Sequence, residues 1–151
     1  MESADRKHTS WALAVLLVAV AVLLVVDYGP ALWAPDAVMF SNAGDGLKNY
    51  YTFLYHANDN ASWWEFGGMN HPYGEHVFFT DGHPWMSAML RLAEMIIPGT
   101  ASHGIGVLNS MLLLGIPACA LVLFLLMRKF DVRPWLAAAG AFGITVLAPQ
   151  T

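Results

Sequence analysis

Apolar residues in this chain gather into three runs, separated by one long polar block and one short basic one. From Trp11 to Val26 (WALAVLLVAVAVLLVV) no residue is charged. A helix needs roughly 20 residues to cross the hydrocarbon of a bilayer. Thr9, Ser10, Trp11 and Tyr28 extend the run into the interfaces, where aromatic rings are well placed, and predict a first span over 11–28. Basic residues before such a run are also the mark of a secretory signal. The following stretch, Asp27 to Pro35, offers a small-residue site only just before a proline, so an uncleaved anchor is predicted. The second run, GIGVLNSMLLLGIPACALVLFLLM, predicts a span over 104–127, with Pro117 tolerated because neighbouring helices re-satisfy the carbonyl it frees. A connector over 128–134 leads to the third run, over 135–151, predicted as a truncated third span.

The polar block has its own periodicity. Leu47, Tyr50, Tyr51 and Leu54 recur at i, i+3, i+4, i+7, which predicts an amphipathic helix near 46–57 with Lys48, Asn49 and Thr52 turned to water. Met86, Met89, Leu90, Ala93, Ile96 and Ile97 form a second stripe, predicting a helix near 84–97 with Arg91 and Glu94 opposite. Pro84 suits its first turn and Pro98-Gly99 stops it. Both helices are expected along a membrane interface. Between them, Phe66 to Pro84 is dense in glycine, proline and polar groups, and predicts turns rather than regular structure.

Charge sets the orientation. Arg6 and Lys7 precede the first span, and Arg128, Lys129 and Arg133 follow the second. The stretch 27–103 holds eight of the eleven acidic residues and five of the six histidines, but only Lys48 and Arg91 as basic residues. By the positive-inside rule the residues 1–10 and the connector are cytoplasmic and the loop 29–103 lies outside. The fold class predicted is an all-α membrane protein of two to three transmembrane helices with a large extracytoplasmic loop. Composition agrees: 57% of residues are hydrophobic and 12% charged, about half the charge of a soluble domain. A net charge of -4 with no basic stripe argues against a nucleic-acid partner; membrane lipid is the expected one. The single cysteine, Cys119, excludes internal disulfides and is expected to be a small buried hydrophobe. A third span ending on Pro-Gln-Thr predicts the N-terminal piece of something longer, or a truncated frame.

Two carboxylates stand where chemistry could occur. Asp45, in SNAGDG, is expected either to cap the first amphipathic helix or to act as a base toward an acceptor hydroxyl. Asp81, in TDGHP, is expected in an Asx turn or as a second acid. No motif indicates a cofactor. A divalent metal on His71, Glu75, His76, Asp81 and His83 is the one candidate, but HPYGEH lacks the HExxH order and its glycine and proline oppose a helical ligand pair. Asn60-Ala-Ser62 matches a glycosylation sequon.

The phrases GDGLKNYYTFLYH and GMNHPYGEHVFFTDGHP resemble the N-terminal region of bacterial GT-C type glycosyltransferases, similar in architecture to protein mannosyltransferases and aminoarabinose transferases. The resemblance implies an enzyme of the bacterial inner membrane that takes a sugar from a polyprenyl-phosphate donor outside the cytoplasm. It makes Asp45 the counterpart of the first-loop catalytic acid and Asp81 a second acidic position. Lys48, Asn49, Tyr50, Tyr51 and His83 then fall at substrate-binding positions. Such enzymes have eight or more spans, so the chain would be their N-terminal portion. A different class is kept open: a non-catalytic accessory subunit docking on a larger membrane complex of respiratory or photosynthetic type through its outer loop. In that case the chain is not an enzyme.

Overall fold

The computed structural model of the protein describes residues 2–59 and 61–147. The sequon asparagine and the last four residues of the third run therefore lie outside the described residues. The chain divides into two compact units, residues 1–33 with 110–150, and residues 34–109.

The first unit is made from the apolar runs. α1 covers Glu2–Trp33 and α4 covers Gly104–Lys129, entering this unit at Ser110. Two stretches, Lys7–Trp33 and Thr100–Lys129, are long and apolar enough to cross a membrane. At 1.5 Å per residue each exceeds the roughly 30 Å of hydrocarbon. Few of their side chains are buried, and Val18, Val22, Val25 and Val26 on α1 and Leu114, Val122 and Leu125 on α4 are exposed. That is the opposite of a soluble core helix. α1 kinks at Tyr28 (φ -121°, ψ 16°), two residues before Pro30, whose ring has no N–H to continue the ladder. α5, Pro134–Leu147, packs along α1. Its buried positions include Ala137, Ala138 and Ala141, small enough to let two backbones approach closely. Cys119 is exposed on α4, contrary to expectation: the run around it is apolar on every side, so hydrophobicity alone does not choose the inward face.

The second unit is built from α2 (Gly44–Asn58), a short antiparallel pair β1 (Glu65–Phe66) and β2 (Glu75–His76), and α3 (Pro84–Ile96). The pair registers Glu65 with His76 and Phe66 with Glu75. It is regular structure where turns alone are expected. Gly74, at φ +66°, makes the close return that allows it. α2 packs against α3. The face α2 buries differs from the predicted stripe: Tyr50, Phe53 and Ala57 are inside with Thr52 and His56, while Leu47 and Tyr51 are exposed. Thr52 is not turned to water because its hydroxyl donates to the Lys48 carbonyl at 2.9 Å and is satisfied within its own helix.

α3 buries only Ser87 and Leu90 completely and leaves Trp85, Met89, Leu92 and Ile96 exposed along one side. Glu94 ends the helix by accepting the backbone N–H groups of Gly99 (2.8 Å) and Ala101 (2.6 Å). Those two bonds, Ala101 first, hold its carboxyl below the usual range against a small opposing effect of burial.

Candidate functional site

α2 starts at Gly44 with Ala43 as its cap, whose own side chain makes no capping bond. Asp45 is thus not the N-cap; it lies one residue inside, in the first turn, where its charge still suits the positive end of the helix. Its carboxylate is exposed and makes no hydrogen bond among the described residues. One turn on, Lys48 donates to Asp81 Oδ2 at 2.9 Å. Asp81 therefore faces α2, and its carboxylate serves an ion pair rather than an Asx turn. The pair is solvent-facing, at 33% and 68% side-chain exposure. The bond to Asp81 raises the Lys48 ammonium above its ordinary value, with the charges of Asp45 and Glu75 adding to it against partial desolvation.

Asp45, Lys48, Glu75 and Asp81 are therefore electrostatic neighbours, three carboxylates around one ammonium. An excess of negative charge disfavours a phosphate. Among the described residues no three His, Cys, Asp or Glu side chains converge in a way that could hold a metal ion, the loop histidines included.

The backbone here is unusual. Asp81 (φ 60°) and His83 (φ 47°) are both left-handed, on either side of Gly82. Asp and His tolerate this region better than most residues, and such positions cluster at functional sites. Close packing explains the conformation: a Cβ added at Gly82 would lie 2.7 Å from Thr52 Oγ1 and 3.0 Å from the Phe53 nitrogen. His83 caps α3 through its carbonyl, which accepts from Met86 N–H at 2.9 Å and Ser87 N–H at 3.1 Å.

The other predicted substrate positions have separate surroundings. Tyr51 is exposed and donates to the Gly68 carbonyl at 2.9 Å, with its ring edge-on to Phe66. Asn49 is half-buried. Tyr50 is interior, and its hydroxyl donates to Asn109 Oδ1. The Asn109 amide in turn donates to the carbonyls of Pro35 (2.7 Å) and Val38 (2.6 Å).

Sequence patterning gives no sign of that network or of Asp36. Asp36 Oδ1 accepts the Gly106 N–H at 2.6 Å and Oδ2 bonds His103 Nδ1 at 2.8 Å. It so satisfies one of the free N–H groups at the start of α4. The His103 bond chiefly, and the Gly106 N–H after it, hold the Asp36 carboxyl below the usual range against some desolvation. A second interior pair joins His56 Nδ1 to Ser87 Oγ at 2.6 Å, with His56 Nε2 at 3.3 Å from the Trp63 carbonyl. Burial, and secondarily the Arg91 charge, push the His56 imidazole down, only partly offset by that carbonyl. Arg91 lies 4.4 Å over the Trp63 ring and donates to the Ser62 carbonyl at 2.9 Å.

Residues 13–151 match the family described as a domain of unknown function, DUF6311. The chain belongs to that family. No curated protein and no solved structure matches it. In this DUF6311 chain the match takes in both compact units, the Asp45–Lys48–Asp81 group included.

Proposed function

We propose that the chain is the N-terminal portion of an integral membrane glycosyltransferase that uses a lipid-phosphate-linked sugar donor at the extracytoplasmic face of the bacterial inner membrane. The observation that carries the reading is the Asp45 carboxylate: exposed, without a hydrogen bond among the described residues, and beside a Lys48 ammonium already paired with Asp81. A base must keep its lone pairs available for the proton it removes. Asp45 meets that requirement, while Asp81 is engaged. The Lys48–Asp81 pair fixes the charges around Asp45, and the carboxylate excess disfavours a phosphate there. The carrier phosphate is then met by other parts of the full-length enzyme.

The orientation proposed rests on the basic residues at the two ends of the spanning stretches and has the loop 29–103 outside. The exposed side of α3, uncharged from Trp85 to Ile96 and three residues short of Thr100, lies along the outer interface in this arrangement. α2, whose apolar face is taken up inside the unit, does not.

The test is transfer of label from a radiolabelled polyprenyl-phosphate hexose by sealed vesicles that hold the full-length gene product. Transfer at the outer face supports the reading. Absence of transfer from any polyprenyl-phosphate sugar, with the protein co-purifying stoichiometrically with a larger complex, supports the accessory-subunit alternative instead.

A further inference from the structure

A group of exposed aromatic rings on the β1–β2 pair is not used by the site above. Trp64 lies next to β1, His76 ends β2, and Phe78 is in the 3-10 turn that follows. The His76 and Phe78 rings stack at 5.3 Å with 16° between planes, and Trp64 and His76 at 6.3 Å with 30°. Trp64 and Phe78 are 62% and 60% exposed. Large apolar rings left in water together usually mark a contact surface.

Three features determine what that surface fits. The Phe78 N–H donates to His76 Nδ1 at 3.3 Å, so the neutral imidazole carries its proton on Nε2 and offers a donor beside the rings. Glu65 stands directly across from His76, and paired residues on antiparallel strands share a face, so a carboxylate acceptor accompanies the donor. The backbone is held rigid: Ser62 Oγ accepts from the N–H groups of Trp64 (3.2 Å) and Glu65 (3.0 Å), and the Val77 N–H donates to the Trp64 carbonyl at 2.8 Å.

We propose that Trp64, His76 and Phe78 form a carbohydrate-binding platform, with the pyranose C–H face on the rings and its hydroxyls on His76 Nε2 and Glu65. A ring surface with a donor and a carboxyl acceptor at its edge matches a sugar, which is apolar on one face and polar around its rim. An acyl chain does not match, because it would bring the Glu65 carboxylate into an apolar medium. The platform adjoins the charged group through Glu75, which precedes His76 and is among the charges that raise Lys48. The platform's place as the acceptor subsite rests on the glycosyltransferase reading; its binding of sugar does not.

The test is saturation-transfer NMR on the chain in nanodiscs with three probes at millimolar concentration: methyl β-D-glucopyranoside, maltotriose and chitotriose. Transfer to sugar ring protons is expected in the wild type, with a loss of about fivefold or more in Trp64→Ala and Phe78→Ala. Both substitutions remove exposed side chains, and unchanged thermal midpoints show that the variants are folded. No transfer from any of the three probes, or equal transfer in both variants, overturns the proposal. So does quenching by brominated acyl chains of the emission that Trp64→Phe removes, which would put the ring in lipid. Sugar contact without transfer activity in the full-length protein would leave the platform standing and sink the enzyme reading.

Discussion

Lys48 and Asp81, 33 residues apart, meet at 2.9 Å and join the first helix of the second unit to the turn that starts α3. Both side chains reach solvent, and ion pairs of this kind contribute little to stability. Lys48→Met is therefore expected to leave the thermal midpoint nearly unchanged in low and high salt, while lowering transfer by the full-length enzyme. A large drop in the midpoint would make the pair a structural strut instead.

The interior network behaves differently. Tyr50→Phe removes the donor to Asn109 and should cost about 1–2 kcal/mol, and Asn109→Leu more, because two carbonyls and a hydroxyl lose their partner. The double variant is expected to cost less than the sum, since both substitutions break one network. Thermal unfolding in nanodiscs measures the coupling; strict additivity would contradict it.

Acid should loosen the second unit through His56. Its imidazole is held below its ordinary value in the folded protein, so the unfolded chain binds the proton more readily. Stability is then fully present above about pH 6.5 and falls as the pH drops from there toward the folded value. His56→Gln is expected to flatten that part of the pH–stability curve. A curve equally steep in the variant would assign the loss to other groups, Asp36 first, whose depressed carboxyl acts lower, below the ordinary Asp range.

Glycines separate tight places from open ones. Gly82→Ala forces a methyl against the α2 backbone and should destabilise by about 1–3 kcal/mol. Gly115→Ala, in the interior of α4 with open space around it, should be neutral or slightly stabilising. The reverse order, read by thermal melting, would contradict the packing described.

What the sequence makes legible follows from how local each determinant is. The long helices are evident because a bilayer demands uninterrupted apolar length, a property of adjacent residues. α3 is evident from Pro84 and Pro98-Gly99 at its ends. The buried face of α2 is not, because Thr52 and His56 read as polar. Thr52 is satisfied by its own helix, and His56 by Ser87, 31 residues away. Asp36 and Asn109 are silent for the same reason: their partners are 59 to 74 residues distant. The nearness of Asp45, Lys48 and Asp81 is half legible. The first two share a helical turn, but Asp81 arrives through a left-handed bend that no periodicity announces.

The central claim is that Asp45 is the base. The most direct measurement compares initial rates of sugar transfer from a polyprenyl-phosphate donor for full-length wild type and Asp45→Asn, reconstituted in proteoliposomes at equal protein. Because the exposed Asp45 side chain makes no hydrogen bond among the described residues, Asn should preserve the thermal midpoint. Transfer is expected to fall by about 10²-fold or more at saturating donor and acceptor. A variant that transfers at the wild-type rate would contradict the account and leave Asp45 as a first-turn charge on α2.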